Sequence, residues 1–126
     1  MIKEINTTEA PAAIGPYSQA KLVNNTLYLS GQIPLVPGTG DLNEGSIAEQ
    51  TEQVISNISQ VLKAGGSDIS RVFKTTCYLK NMNDFAVFNE VYGKHFVSKP
   101  ARTTVEVSAL PKGALVEIEV IAMTDN

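Results

Sequence analysis

"ALVEIEVIAM", residues 114–123, decides how this chain is read. Eight of its ten residues are apolar, which suits a buried strand, yet Glu117 and Glu119 flank Ile118 at its centre. Strand side chains alternate between faces. Val116, Ile118, Val120 and Ala122 therefore share one face, and Leu115, Glu117, Glu119, Ile121 and Met123 share the other. The first face suits covering helices. The second is too apolar for a plain solvated surface and too charged for a dry core. It fits either a covered cleft or subunit seam with polar groups inside it, or a sheet surface whose glutamates are solvated, since Glu is seldom fully buried.

Just upstream, "RTTVEV" (102–107) reads as a second strand, with Arg102, Thr104 and Glu106 opposite Thr103, Val105 and Val107. The connection "SALPKGA" (108–114) is consistent with a hairpin between the two strands. If they pair, one sheet surface presents an arginine and several carboxylates among aliphatic side chains. Further back, "RVFKTTCYL" (71–79) is rich in β-branched and aromatic residues and reads as a strand. "KNMND" then turns into a helix with Phe85, Phe88, Tyr92 and Phe96 on one stripe, closed by Pro100.

Ser46 followed by Glu49 is a capping-box pattern, and Ile47, Val54, Ile55, Ile58, Val61 and Leu62 fall on one helical face before Gly65 and Gly66 end the period. "AKLV" and "TLYLSG" around Asn24 and Asn25 predict a β-hairpin. Residues 2–6 alternate weakly. "APAAIGPYSQA" (10–20), with two prolines and a glycine, reads as a rigid loop, and "PLVPGTGDLNEG" (34–45) as a long one. The order β, β, β, α, β, α, β, β predicts an α+β fold, one domain over residues 1–126, with a mixed β-sheet and two helices packed on one face.

The whole chain bounds the function. Its 126 residues suit one core, and 43% hydrophobic with 18% charged residues is an ordinary globular composition. A net charge of −3 and a pI near 5.1 argue against a polyanion binder, so no nucleic-acid partner is expected. Only Arg71 and Arg102 can grip a carboxylate in bidentate fashion. A lone cysteine, Cys77, and a lone histidine, His95, leave no internal disulfide, no metal-ligand set and no Ser-His-Asp arrangement. Cys77 reads as a small buried thiol and His95 as a helix-surface residue. No phosphate-loop or dinucleotide motif is present, so no cofactor and no metal are expected. The N-terminus "MIKEINTTEA" lacks signal-peptide character, and no apolar stretch approaches a bilayer span. A cytoplasmic protein without membrane partners is expected. What remains is acid-base and electrostatic chemistry by Arg, Glu, Tyr, Ser and backbone groups.

Four stretches, "APAAIGPYSQA", "SGQIP" (30–34), "FNEVYG" (88–93) and "KPARTTVEVSALPKGALVEIEVIA" (99–122), closely resemble the reactive intermediate deaminase family, RidA/YjgF. The likeness runs in order along essentially the whole chain. It implies a chorismate-mutase-like α+β fold assembled as a homotrimer, with sites in the clefts between subunits. It also implies cofactor-free hydrolysis of enamines and imines from amino acids, chiefly 2-aminoacrylate/2-iminopropanoate and 2-iminobutanoate, to 2-oxo acids and ammonia.

By the same resemblance, Arg102 of "PAR" grips the substrate carboxylate and Glu117 of "VEIE" positions or activates the attacking water. Tyr17, Ser30, Gly31, Asn89 and Thr104 line the pocket. On the residues alone, Tyr17 also reads as a core aromatic, Gly31 as a turn glycine and Asn89 as a helix-surface residue. Thr104 stands where relatives often carry cysteine, and binding through main-chain groups leaves activity expected. Glu119 has no assigned role beyond a structural ion pair or an interface hydrogen bond. Two other functions fit the same pocket: a non-catalytic regulator that binds 2-oxo acids or other small carboxylates, and an endoribonuclease or translation inhibitor, an activity attached to some relatives and disfavoured here by the acidic pI.

Overall fold

A computed structural model describes residues 1–124; the last two positions of the expected domain, 125 and 126, lie outside the described residues. The strands are β1 (Ile2–Ile5), β2 (Ala20–Val23), β3 (Thr26–Leu29), β4 (Val72–Leu79), β5 (Ala101–Glu106) and β6 (Val116–Met123), and the helices are α1 (Ile47–Ala64) and α2 (Phe85–His95). They build a six-stranded mixed sheet in the order β1-β2-β3-β6-β4-β5 with both helices on one face, the predicted α+β class.

The local signals act as expected. Asn24 takes φ of 55° and turns β2 into β3, with Val23 facing Thr26. Ser46 accepts from the Glu49 backbone N–H at 3.2 Å, and Glu49 accepts from the Ser46 N–H at 2.9 Å, closing the capping box, which stabilises the helix by about 1 kcal/mol. Val54, Ile58, Val61 and Leu62 of α1 and Phe88 and Tyr92 of α2 share one buried core with Val116, Ile118, Val120 and Ala122, the apolar side of "VEIEVIAM" in β6. Their burial, roughly 1.5 to 3 kcal/mol for each large side chain, holds the helices to the sheet.

One expectation fails: β5 and β6 form no hairpin, because β4 lies between them, parallel to β5 and antiparallel to β6. A parallel neighbour needs a crossover, and α2 supplies it between β4 and β5. The connection from β5 to β6 instead clasps the end of β4: the Val107 N–H donates to Leu79 O at 2.9 Å and the Lys80 N–H to Leu115 O at 3.0 Å. The expected shared surface fails with the hairpin. Arg102 and Thr104 are in register with buried Thr75 and Cys77, on the helix-covered face, whereas Glu117 and Glu119 are in register with Tyr78 and Thr76 on the open face.

Candidate active site

The seven predicted site residues separate into two groups. The first, Arg102, Thr104 and Asn89, is built by the edge strand β5 and by α2. Residues 85, 89 and 92 lie on one stripe of α2 by their spacing of four and three, and that stripe cradles Arg102. The Arg102 Nη1 donates to Asn89 Oδ1 at 2.6 Å. Its guanidinium carbon sits 4.7 Å from the ring centroid of Tyr92 and 5.5 Å from that of Phe85, cation–π distances that orient a planar cation. Tyr92 is fixed in turn by a 2.8 Å hydrogen bond between its hydroxyl and Thr75 Oγ1, inside the core. Burial pushes the Tyr92 phenol upward, so it stays neutral beneath the arginine.

Among the described residues no carboxylate forms an ion pair with Arg102. An open cleft of about 630 Å³, lined by Asn89, Tyr92, Phe96, Lys99, Pro100 and Arg102, lies beside it. Among the described residues, Thr104 Oγ1 is buried with no hydrogen bond of ordinary geometry; its register partner Cys77 directs its thiol to Thr75 Oγ1 at 3.9 Å. Arg71, the other arginine, donates to the carbonyls of Met123 and Thr124 at 3.1 and 2.6 Å and pins the end of β6.

The second group, Glu117, Gly31, Ser30 and Tyr17, lies where the segment after β3 crosses β6. Reciprocal bonds between Gln32 and Ile118, at 2.8 and 3.1 Å, press Gly31 onto the Glu117 side chain. A Cβ at position 31 would stand 2.9 Å from Glu117 Cδ and collide with the carboxylate oxygen, so a larger residue there must displace the Glu117 side chain; the glycine serves that close approach, not a turn. The Ser30 hydroxyl donates to Ser18 O at 2.6 Å and its N–H to Gln19 O at 3.0 Å, tying the 10–20 loop to the sheet. Tyr17 is 55% exposed and shares a cleft with Pro11, Gly31 and Gln32, so it is not a core aromatic.

Glu117 is half-buried, and burial, followed by the neighbouring charge of Glu119, pushes its carboxyl above the ordinary value of 4.5. Glu119 accepts from the Tyr78 hydroxyl at 2.8 Å, and this bond chiefly drives the phenol up to about 12. A cleft of about 260 Å³ exposes Glu117 and Glu119 between Tyr78, Val107, Leu110 and Pro111.

The two groups do not meet within one chain. Arg102 is opposite Thr75 and Glu117 opposite Tyr78, on strands either side of β4. Strand spacing and rise put their Cα atoms roughly 14 Å apart, and their side chains leave opposite faces of the sheet.

Sequence reading missed several supports. Gln19 is buried and joins Thr7 and Pro11 to the sheet through bonds of 2.7 to 3.1 Å. Tyr78 was legible only as the alternate face of "TTCYL"; its proximity to Glu119 depends on the β4–β6 pairing. Cys77 is buried as expected, and its thiol is pushed up to about 11, mainly by desolvation. His95 sits on the surface, 2.7 Å from Glu52. Among the described residues no three His, Cys, Asp or Glu converge as a metal site, and no helix is long and apolar enough to cross a membrane.

Comparisons with known proteins agree on the family and the fold. The family described as endoribonuclease L-PSP matches residues 7–124. "Putative regulator AldR" of Lactococcus lactis is 57% identical over 122 residues, covering 96% of this chain and 97% of that one. The 2-iminobutanoate/2-iminopropanoate deaminase of Mus musculus is 51% identical over 122 residues, covering 96% of this chain and 90% of its own. A crystal structure of E. coli TdcF with bound serine superposes with a TM-score of 0.91 at 36% identity, over 98% of this chain and 99% of that one. With the sheet order, the carboxylate strand and the "PAR" arginine in place, the chain belongs to the endoribonuclease L-PSP family, the YjgF/RidA family.

Proposed function

We propose that this protein hydrolyses 2-imino acids, with 2-iminobutanoate and 2-iminopropanoate as the leading substrates, to 2-oxo acids and ammonia. The observation that carries this reading is Arg102: a guanidinium held by Asn89 and Tyr92, unpaired with any carboxylate among the described residues, beside an open cleft. Such a group takes a small carboxylate in bidentate fashion. Support comes from the deaminase named in Mus musculus and from serine, an amino acid, bound to TdcF.

That Arg102 and Glu117 leave opposite faces of the sheet supports a complete site formed between two copies of the chain; the homotrimer is what the family resemblance implies, and a cytoplasmic location is part of the same proposal. One copy supplies Arg102, Asn89 and Thr104, and the next supplies Glu117, Gly31, Ser30 and Tyr17. An enamine first tautomerises to the imine, whose carboxylate docks on Arg102. Water held by Glu117 adds its oxygen to the imine carbon; one water proton passes to Glu117 and from it to nitrogen as C=N becomes C–N, giving a neutral carbinolamine. Glu117 then takes the carbinolamine hydroxyl proton and delivers it to nitrogen as the C–N bond breaks and C=O forms, releasing ammonia and the 2-oxo acid. Imines hydrolyse unaided, so general acid-base help of about 10²- to 10⁴-fold with positioning suffices.

The test generates 2-iminobutanoate in situ from threonine with a dehydratase and follows 2-oxobutanoate. Wild-type protein accelerates its formation, and Arg102→Ala lowers kcat/KM by about 30- to 1000-fold, the effect of losing a desolvated charge pair. Near-normal turnover by Arg102→Ala overturns the assignment. The name AldR favours a second reading, a regulator that binds 2-oxo acids in the same cleft without turnover. Saturable 2-oxobutanoate binding with wild-type and buffer progress curves superimposed would decide for it.

A further inference from the structure

Glu119 carries a charge that the reaction just described does not use. It lies two residues from Glu117 on the open face of β6, about 7 Å along the strand. Tyr78, in register with Glu117, does not bond to it; its hydroxyl reaches diagonally to Glu119 Oε1 at 2.8 Å. Strand β4 thus fastens a second carboxylate beside the first. If Tyr78 served only to satisfy a partly buried glutamate, Glu117 would be the equal candidate. No hydrogen bond from a described side chain reaches Glu117, which packs on Gly31 instead.

We propose that Tyr78 and Glu119 are a positioning pair for the proton chemistry at Glu117: the Tyr78 hydroxyl holds the Glu119 carboxylate in place, and that second negative charge keeps Glu117 basic enough to take a proton from water and return it to the leaving nitrogen. The inference rests on the imine-hydrolase reading. In the intersubunit site, the Arg102 of a neighbouring copy draws Glu117 towards permanent ionisation, which makes a weak base. A fixed like charge opposes that pull.

The surroundings contain few other charges able to do so. The Gly31 segment and residues 107–111, packed against Glu117, carry no titratable side chain except Tyr17 in the adjoining cleft. Tyr78 faces Glu117 from β4. Around Glu119, Tyr28 comes from β3, Lys74 from β4 and Lys21 from β2, lining the clefts it borders. Lys21 pairs instead with Glu4 at 4.0 Å and Lys74 donates to Thr103 Oγ1 at 3.5 Å, so among the described residues neither forms an ion pair with Glu119. From about 7 Å away along the strand, the Glu119 charge adds to the effect of burial and raises the Glu117 titration.

The experiment follows the Glu117 side-chain carboxyl by ¹³C NMR through a pH titration of the intact protein, beside the pH profile of kcat/KM. Glu119→Gln is expected to move both the NMR titration and the acid limb of the rate profile to lower pH by about 0.5 to 1.5 units. Tyr78→Phe is expected to move them in the same direction by less, since the carboxylate keeps its charge but loses its tether. An unmoved Glu117 titration in Glu119→Gln overturns the proposal, as does a uniform loss of rate with no displaced limb. If Glu119→Gln does not fold, an unmoved titration in Tyr78→Phe overturns it equally. Failure of the imine-hydrolase reading shows separately, as absence of turnover in the wild type, because the NMR titration needs no substrate.

Discussion

Placing Arg102 and Glu117 on opposite faces of one sheet makes a prediction that neither residue makes alone. Arg102→Ala and Glu117→Gln are each expected to be nearly inactive, because each removes one half of every site. When the two variants are mixed in equal amounts, unfolded and refolded together, chains assemble at random. A site then has an intact Arg102 with a chance of one half and an intact Glu117 from the neighbouring copy with a chance of one half. About a quarter of the sites are complete, so mixed assemblies should recover about 25% of wild-type kcat, for any closed ring in which neighbours share a site. The in-chain alternative recovers none, because every chain carries one lesion. The roughly 14 Å separation across β4 is what makes the in-chain arrangement unworkable, since no small imino acid bridges two faces of a packed sheet. The assay is 2-oxobutanoate formation from in-situ imine, with each variant refolded alone as control. Recovery at the level of the controls would refute the two-chain site.

Three further outcomes follow from the geometry. Gly31→Ala introduces a Cβ where the Glu117 carboxylate lies, and displacement of that group by about 1 Å should lower kcat by about 10²-fold while the thermal transition persists; an unchanged kcat would show that Glu117 can move freely. Tyr92→Phe keeps the ring under Arg102 but strands the buried Thr75 hydroxyl, so denaturant titration should show a loss of about 1 to 3 kcal/mol with little change in KM; a large rise in KM would mean that the hydroxyl, not the ring, orients the arginine. Cys77, buried with its thiol held protonated up to about pH 11, should resist iodoacetamide at pH 8 in the native protein and react after unfolding; rapid native alkylation read by mass spectrometry would contradict its burial.

Much of this protein is legible in local sequence, because local physics writes it there. The Ser46–Glu49 cap, the Asn24 turn, the α2 stripe and the split character of "VEIEVIAM" each depend on residues within a few positions of one another, and each appears in the structure where the pattern puts it. The resemblance to the RidA/YjgF family likewise picks out Arg102 and Glu117 as the residues to examine. What sequence could not show is which strands are neighbours. The connection after β5 looks like a hairpin by its proline and glycine, yet β4, more than twenty residues earlier, takes the place between β5 and β6. Only tertiary structure decided that Arg102 faces the helices, that Glu117 faces the open side, and that Tyr78 meets Glu119. Strand order arises from long-range pairing and the crossover through α2, and no short window of sequence contains both partners of such a pair.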